Sequence, residues 1–196
     1  MKQNTGKYFV LIFCAIFTNT LFAQPSIEWK KCYGGTAYDD AKSIVSTSDG
    51  GFIIAGATDS RNGDVKGLHI PTPYNGNTDY WVVKLSSSGI IEWQKCLGGV
   101  GDEQGLAIIQ TKDKGYAVTG YIYPGKTHED GDVHGIEWFA GIWVVKLNDT
   151  GEIQWQRMLG KKPSQTSTKA YSITQATDGS YGIACSTDSI DNFWVV

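Results

Sequence analysis

No catalytic signature is spelled out along the chain: there is no Gly-x-Ser-x-Gly elbow, no His-Glu-x-x-His and no Cys-x-x-Cys. Basic charge is also short, with 17 Lys and Arg against 20 Asp and Glu, a net charge of −3. A nucleic-acid binder is expected to carry a basic patch, and none is present in the sequence. Proline is scarce, and no segment has a helical hydrophobic period of useful length, which excludes a helical bundle.

Long apolar runs are missing except at the start. Lys2 and Lys7 precede a mostly apolar stretch from Tyr8 to Phe22, and Leu21-Phe22-Ala23 ends in a small residue. This is the pattern of a secretory signal peptide over residues 1–23, with cleavage expected before Gln24. The stretch is about 15 residues long and broken by Thr18, Asn19 and Thr20, whereas a membrane span needs roughly 20 apolar residues. Cys14 is no lipoprotein site, because Phe13 before it is too bulky for the processing enzyme. The expectation is a secreted or cell-surface protein with no membrane span after signal cleavage. Its mature part keeps Cys32, Cys96 and Cys185, an odd number. Cys32 and Cys96 occupy one repeat position, where the third copy has Met158, so buried thiols are expected rather than a disulfide.

What is present is a repeat. "SIEWKKCYGG" (26–35), "IIEWQKCLGG" (90–99) and "EIQWQRMLGK" (152–161) place Trp29, Trp93 and Trp155 at spacings of 64 and 62. Residues 41–60, 105–124 and 170–189 align without gaps, and "DYWVVKL" at 79 recurs as "GIWVVKL" at 141 and "NFWVV" at 192. Each copy predicts four short strands, as in Ser43 to Thr47, Gly51 to Ala57, Tyr80 to Leu85, and the segment of Ile91 and Trp93. Asp49-Gly50-Gly51, Asp113-Lys114-Gly115 and Asp178-Gly179-Ser180 supply the tight turns.

Four antiparallel strands per copy, with inner strands apolar on both faces, predict an all-β, β-propeller-like array of about three blades. The repeat region runs over 24–196: an N-terminal outer strand (24–39), repeat 1 (40–104), repeat 2 (105–169) and a partial repeat 3 (170–196). Segment 26–33 is expected to be the outer strand of a last blade. Since Val195-Val196 stops inside the third-strand motif, the chain is expected to continue; a three-bladed ring closed by 26–33 is the alternative.

These motifs (Trp-x-Lys-x-x-Gly-Gly, Asp-Gly-Gly-[Phe/Tyr]-Ile-Ile-Ala-Gly, Asp-Tyr-Trp-Val-Val-Lys-Leu) resemble the secreted propeller-like repeats of exported bacterial proteins. Many of those carry a sorting domain for type IX secretion. "WVVKLSSSGIIEW" (81–93) also looks like the strand-turn-strand of quinoprotein-type blades. The resemblance covers 26–196 and implies fold and export, but no shared catalytic residues. The third copy departs from it at Gly160-Lys161-Lys162-Pro163.

Function is therefore sought where the copies differ. The connection between second and third strands varies most: 58–78, 122–140 and 188–192. Insertions on one side of a repeat array often form its binding face. Loop aromatics Tyr74, Tyr123, Trp138 and Phe139, with His128, are the candidate binding residues for a glycan or protein partner. "HEDGDVH" (128–134) offers Asp130, Asp132 and His134 as weak metal candidates. "SRNGDVK" (60–66) repeats the Gly-Asp-Val without histidine, which favours a turn, and the spacing fails the EF-hand pattern. Asp39-Asp40 and Asp102-Glu103 are expected just before first strands, with turn and edge-charge roles. No cofactor is indicated.

The expected function is thus a non-catalytic secreted or surface propeller domain. The alternatives are part of a secreted hydrolase or quinoprotein-like enzyme, or a structural spacer.

Overall fold

The computed structural model describes residues 26–69, 76–123, 131–134, 140–160, 168–186 and 193–195. Within them the chain is all-β and antiparallel, with no helix, and so no helix long and apolar enough to cross a membrane. The first sheet is β1 (Asp39–Ser46), β2 (Phe52–Thr58), β3 (Asp79–Leu85) and β4 (Ile91–Leu97), hydrogen-bonded in that order. The second repeats it with β5 (Asp102–Gln110), β6 (Tyr116–Tyr123), β7 (Ile142–Leu147) and β8 (Ile153–Leu159). A third sheet holds β9 (Lys169–Gln175), β10 (Tyr181–Ser186) and β11 (Phe193–Val195).

The third strands read Trp-Val-Val because neighbours cover them on both faces; every residue of β3 and β7 is buried. Side chains alternate between two interfaces. Ile53, Ala55, Tyr80 and Val82 of the first sheet meet Ile108, Tyr116, Val118 and Trp143 of the second. Ala117, Ile142 and Val144 then meet Ala170, Ile173 and Ile183 of the third. The repeat tryptophans join consecutive copies. Trp93 packs edge-on against Tyr116 at 5.6 Å, and Trp155 against Tyr181 at 5.5 Å.

Tight turns gather at one end. At each of the first two, the lysine of the Val-Val-Lys-Leu motif runs inward beneath the turn. Lys84 Nζ is buried against Asp49, Glu92 and the Leu85 carbonyl, and Lys146 Nζ against Asp113, Gln154 and the Leu147 carbonyl. Hydrogen bonds from Thr111 and Lys146, with the Gly115 amide, hold the Asp113 carboxyl down at about 2. A depressed carboxylate stabilises the fold above its unfolded value of 3.8, and that contribution is lost as pH falls through about 2. Asp113→Asn is therefore expected to flatten the dependence of stability on pH between those two values, read by denaturant titrations at each pH. An unchanged slope would mean that the lysine strap does not act through Asp113.

Three expectations are corrected. Asp39-Asp40 and Asp102-Glu103 do not precede the first strands: they are the opening residues of β1 and β5, cross-strand from Thr58, Ala57, Tyr123 and Ile122. Asp39 and Glu103 also accept hydrogen bonds from the connections above the strands, at Gly35, Ser60 and Gly99. Segment 26–36 is not a strand, because no described strand lies alongside it. Cys32, expected to be buried, is consequently exposed, whereas Cys96 lies opposite Trp81 in a completed sheet and is buried, as is Cys185.

The segment nevertheless sits on the first sheet as β4 sits on the second. Trp29 packs on Phe52 at 5.9 Å and its ring borders Gly89; Trp93 packs on Tyr116 and borders Gly151.

Candidate functional site

The connections after second and fourth strands emerge together at the end opposite the tight turns, and a repeated clasp joins them. Asn62-Gly63-Asp64-Val65 folds onto Gly34-Gly35: the Asp64 amide donates to the Gly34 carbonyl at 3.0 Å, and Gly34 N–H returns a bond to Asp64 Oδ2 at 3.1 Å. In the next copy the Asp132 amide donates to the Gly98 carbonyl at 2.8 Å. Gly63 (φ 69°) and Gly131 (φ 57°) take left-handed conformations, and a Cβ at either would lie 2.2 Å from the facing carbonyl oxygen. Val65 and Val133 are buried beneath. Gln94 and Gln156 tie each clasp to the core tryptophans Trp81 and Trp143. Gly-Asp-Val is thus a turn, as its recurrence without histidine suggested. The third copy lacks both halves: Gly160-Lys161 replaces Gly-Gly and no Gly-Asp-Val follows Cys185.

Between the two clasps lies a feature the sequence did not signal. His69, from the first long connection, places Nδ1 at 2.7 Å from Asp79 Oδ2 and Nε2 at 3.6 Å from Asp132 Oδ2. Asp79 is fully buried, its Oδ2 also accepts the His69 amide at 3.0 Å, and Oδ1 has no hydrogen-bond partner among the described residues. Burial pushes both the Asp79 and Asp132 carboxyls above their usual range, against the pull of His69. The imidazole bridges a residue of the first sheet to the loop of the second. Its only trace in the sequence is that Asp79 stands where the next copy has Gly141. Asp132, proposed as a metal ligand, belongs to this bridge; His134 is exposed beside it. No group of three or more His, Cys, Asp or Glu among the described residues has a metal-holding arrangement.

The acid pairs are engaged locally. Asp39 accepts bonds from the Gly35 amide, Thr58 and Ser60, and Asp40 from Tyr38 and Lys42. Glu103 Oε2 accepts the Gly99 amide at 3.1 Å.

Asp102 opens instead onto a cleft of about 390 Å³ at the junction of the second and third sheets. Its lining includes Asn77, Asp102, Tyr121, Tyr123, Gly141 and Lys169. Tyr123, expected in a loop, is instead the last residue of β6, paired with Asp102, and is 55% exposed there. Tyr74, His128, Asp130, Trp138 and Phe139 lie outside the described residues.

Residues 120–127 spell Gly-x-x-x-x-Gly-Lys-Thr, the phosphate-loop pattern. That chemistry needs a loop leading from a strand into a helix, but Gly120 to Tyr123 are themselves strand, paired along β5. Residues 124–127, the rest of the pattern, lie outside the described residues. No protein family matches this chain, and no curated protein is similar to it.

Proposed function

We propose that the three sheets are successive blades of a secreted or cell-surface β-propeller that binds a glycan or protein partner through its long-connection end, without catalysis. The propeller reading is supported by the two end faces of the array. Ile108 and Ile173 are 1% and 5% exposed against the preceding sheet, but their repeat equivalent Ile44 is 58% exposed. Ala55 is fully buried against the following sheet, whereas its equivalent Ala184 is exposed. Each end thus presents the half-interface that the other would cover, as in a closed ring or a longer array of blades. Segment 26–33, which sits on the first sheet as β4 sits on the second, marks on this reading the side from which the blade covering Ile44 would approach.

The binding reading is carried by one observation: tight, repeated turns occupy one end, while every connection that varies between copies emerges at the other. Export rests on the signal-peptide pattern of residues 1–23, and a type IX route on the resemblance alone. Against a hydrolase, the acids at the variable end are mostly occupied in holding the connections.

The test is an array of immobilised glycans and extracellular proteins probed with the full-length protein. It is paired with a variant whose residues 124–139 are cut to the length of the third copy's connection. Binding that disappears in a variant of unchanged Tm is the expected result. Binding unaffected by the shortening would sink the reading, and turnover of any bound glycan would favour the enzyme alternative.

A further inference from the structure

Repeat positions build the scaffold, so a pair of residues that departs from the repeat on the variable end marks what the scaffold carries. Such a pair is Asp102 and Tyr123, which lie opposite one another across β5 and β6. Their equivalents in the first copy are reversed, Tyr38 and Asp59. There Asp59 Oδ1 accepts the Tyr38 amide at 2.6 Å, and the Tyr38 hydroxyl donates to the neighbouring Asp40 at 2.7 Å.

In the second copy the same two positions line the cleft. Asp102 Oδ1 accepts both the amide and the hydroxyl of Thr78, at 3.1 and 2.8 Å, and Oδ2 accepts the Tyr121 hydroxyl at 3.1 Å. Lys169 from β9 sets its ammonium 4.5 Å from the Tyr121 ring centroid, on the far wall. Tyr121 and Tyr123 are two residues apart and so project from the same side of β6. Tyr121 is thus clamped by a carboxylate at its hydroxyl and a cation at its face, while Tyr123 beside it remains an open aromatic surface.

The resulting cleft has the size of a small-molecule site, roughly 300 Å³ or more, and its polar groups are fixed before any ligand arrives. Its wall combines an exposed aromatic ring with an anchored carboxylate, an amide and an ammonium, whose charges balance. That set suits a neutral ligand with hydroxyls around its edge and a C–H face to stack on the ring. We infer that the cleft between the second and third sheets is a saccharide-binding subsite, with Tyr123 as the stacking platform and Asp102, Asn77 and Lys169 as the hydrogen-bonding edge. This rests on the reading of the variable end as the binding face. Among the described residues a single carboxylate, Asp102, lines the cleft, whereas glycoside hydrolysis uses a flanking pair.

The experiment is calorimetric titration of the full-length protein with a panel of neutral oligosaccharides (cello-, xylo-, manno- and chito-series, each as the tetramer). At least one series is expected to bind. Tyr123→Ala is expected to weaken it about tenfold and Tyr123→Phe to leave it unchanged, because the ring face carries the contact. Tm is expected to be the same in both variants, since the side chain is exposed. No binding by any member of the panel overturns the inference. Binding that survives Tyr123→Ala but is lost on shortening residues 124–139 overturns this cleft while the general reading stands. Binding only to a peptide array, lost in Tyr123→Ala, keeps the surface and removes the sugar. Failure of both the panel and the array of glycans and proteins overturns both.

Discussion

Gly120→Ala is expected to destabilise the protein by about 3 kcal/mol or more, among the largest effects of any single methyl group added to it. β5 carries a bulge: its pairing with β6 shifts between Gly105 and Ala107, so Leu106 is the extra residue. The bulge pushes the Gln104 carbonyl toward β6, where a Cβ on Gly120 would stand 1.8 Å from its oxygen. No rotamer relieves that contact, because both sides of it are backbone. β5 and β6 must part, and β5 also carries the packing between the first two sheets. The same device recurs in the first copy, where Gly56 faces the bulge at Lys42 and a Cβ would stand 1.7 Å from the Asp40 oxygen. Urea unfolding of the full-length protein measures the effect, with Gly50→Ala as the comparison. Gly50 has a positive φ of 83° but open space around it, so its substitution is expected to lose only about 1 kcal/mol. A Gly120→Ala variant no weaker than Gly50→Ala would show that the bulge does not crowd β6.

The second large effect is His69→Ala. Removing the imidazole strands the fully buried Asp79 carboxylate, and breaking such a pair from one side costs about 3–5 kcal/mol. The diagnostic is the double variant. Asp79→Asn on the His69→Ala background deletes the stranded charge, so it is expected to recover a substantial part of the loss. Additive losses in the two variants would mean that the bridge is not a charge pair. The consequence reaches beyond stability. His69 ties the first sheet to the loop carrying Asp132, and the same loop closes the clasp on Gly98. Weakening this bridge is expected to loosen the variable end before the turn end, where Lys112 links neighbouring turns through the Ala176 and Thr177 carbonyls.

Much of this architecture was legible in the residues themselves. Trp-Val-Val has to be strand, because β-branched and aromatic side chains on consecutive residues need cover on both faces. Asp-Gly at regular spacing has to be turn, because the next strand follows within two residues. Copies compared with one another also separate scaffold from insertion, and thereby identified Gly-Asp-Val as a turn. The cleft around Tyr123 was not legible. Asn77, Asp102, Tyr121 and Lys169 come from four different segments, and nothing in their spacing brings them to one place.

Local chemistry, then, was set by sequence alone: which residues are strands, where the turns fall, and which ends of the strands are free to vary. Tertiary structure decided how far each strand extends. Asp39 and Asp102 became strand residues because a partner lies across from them, and 26–36 did not, with no described strand beside it. It also decided which polar residues meet. A hydrogen bond or ion pair between distant segments depends on side-chain direction at distances of about 3 Å. Such directions are fixed only when sheets have packed and the loops above them have nowhere else to go.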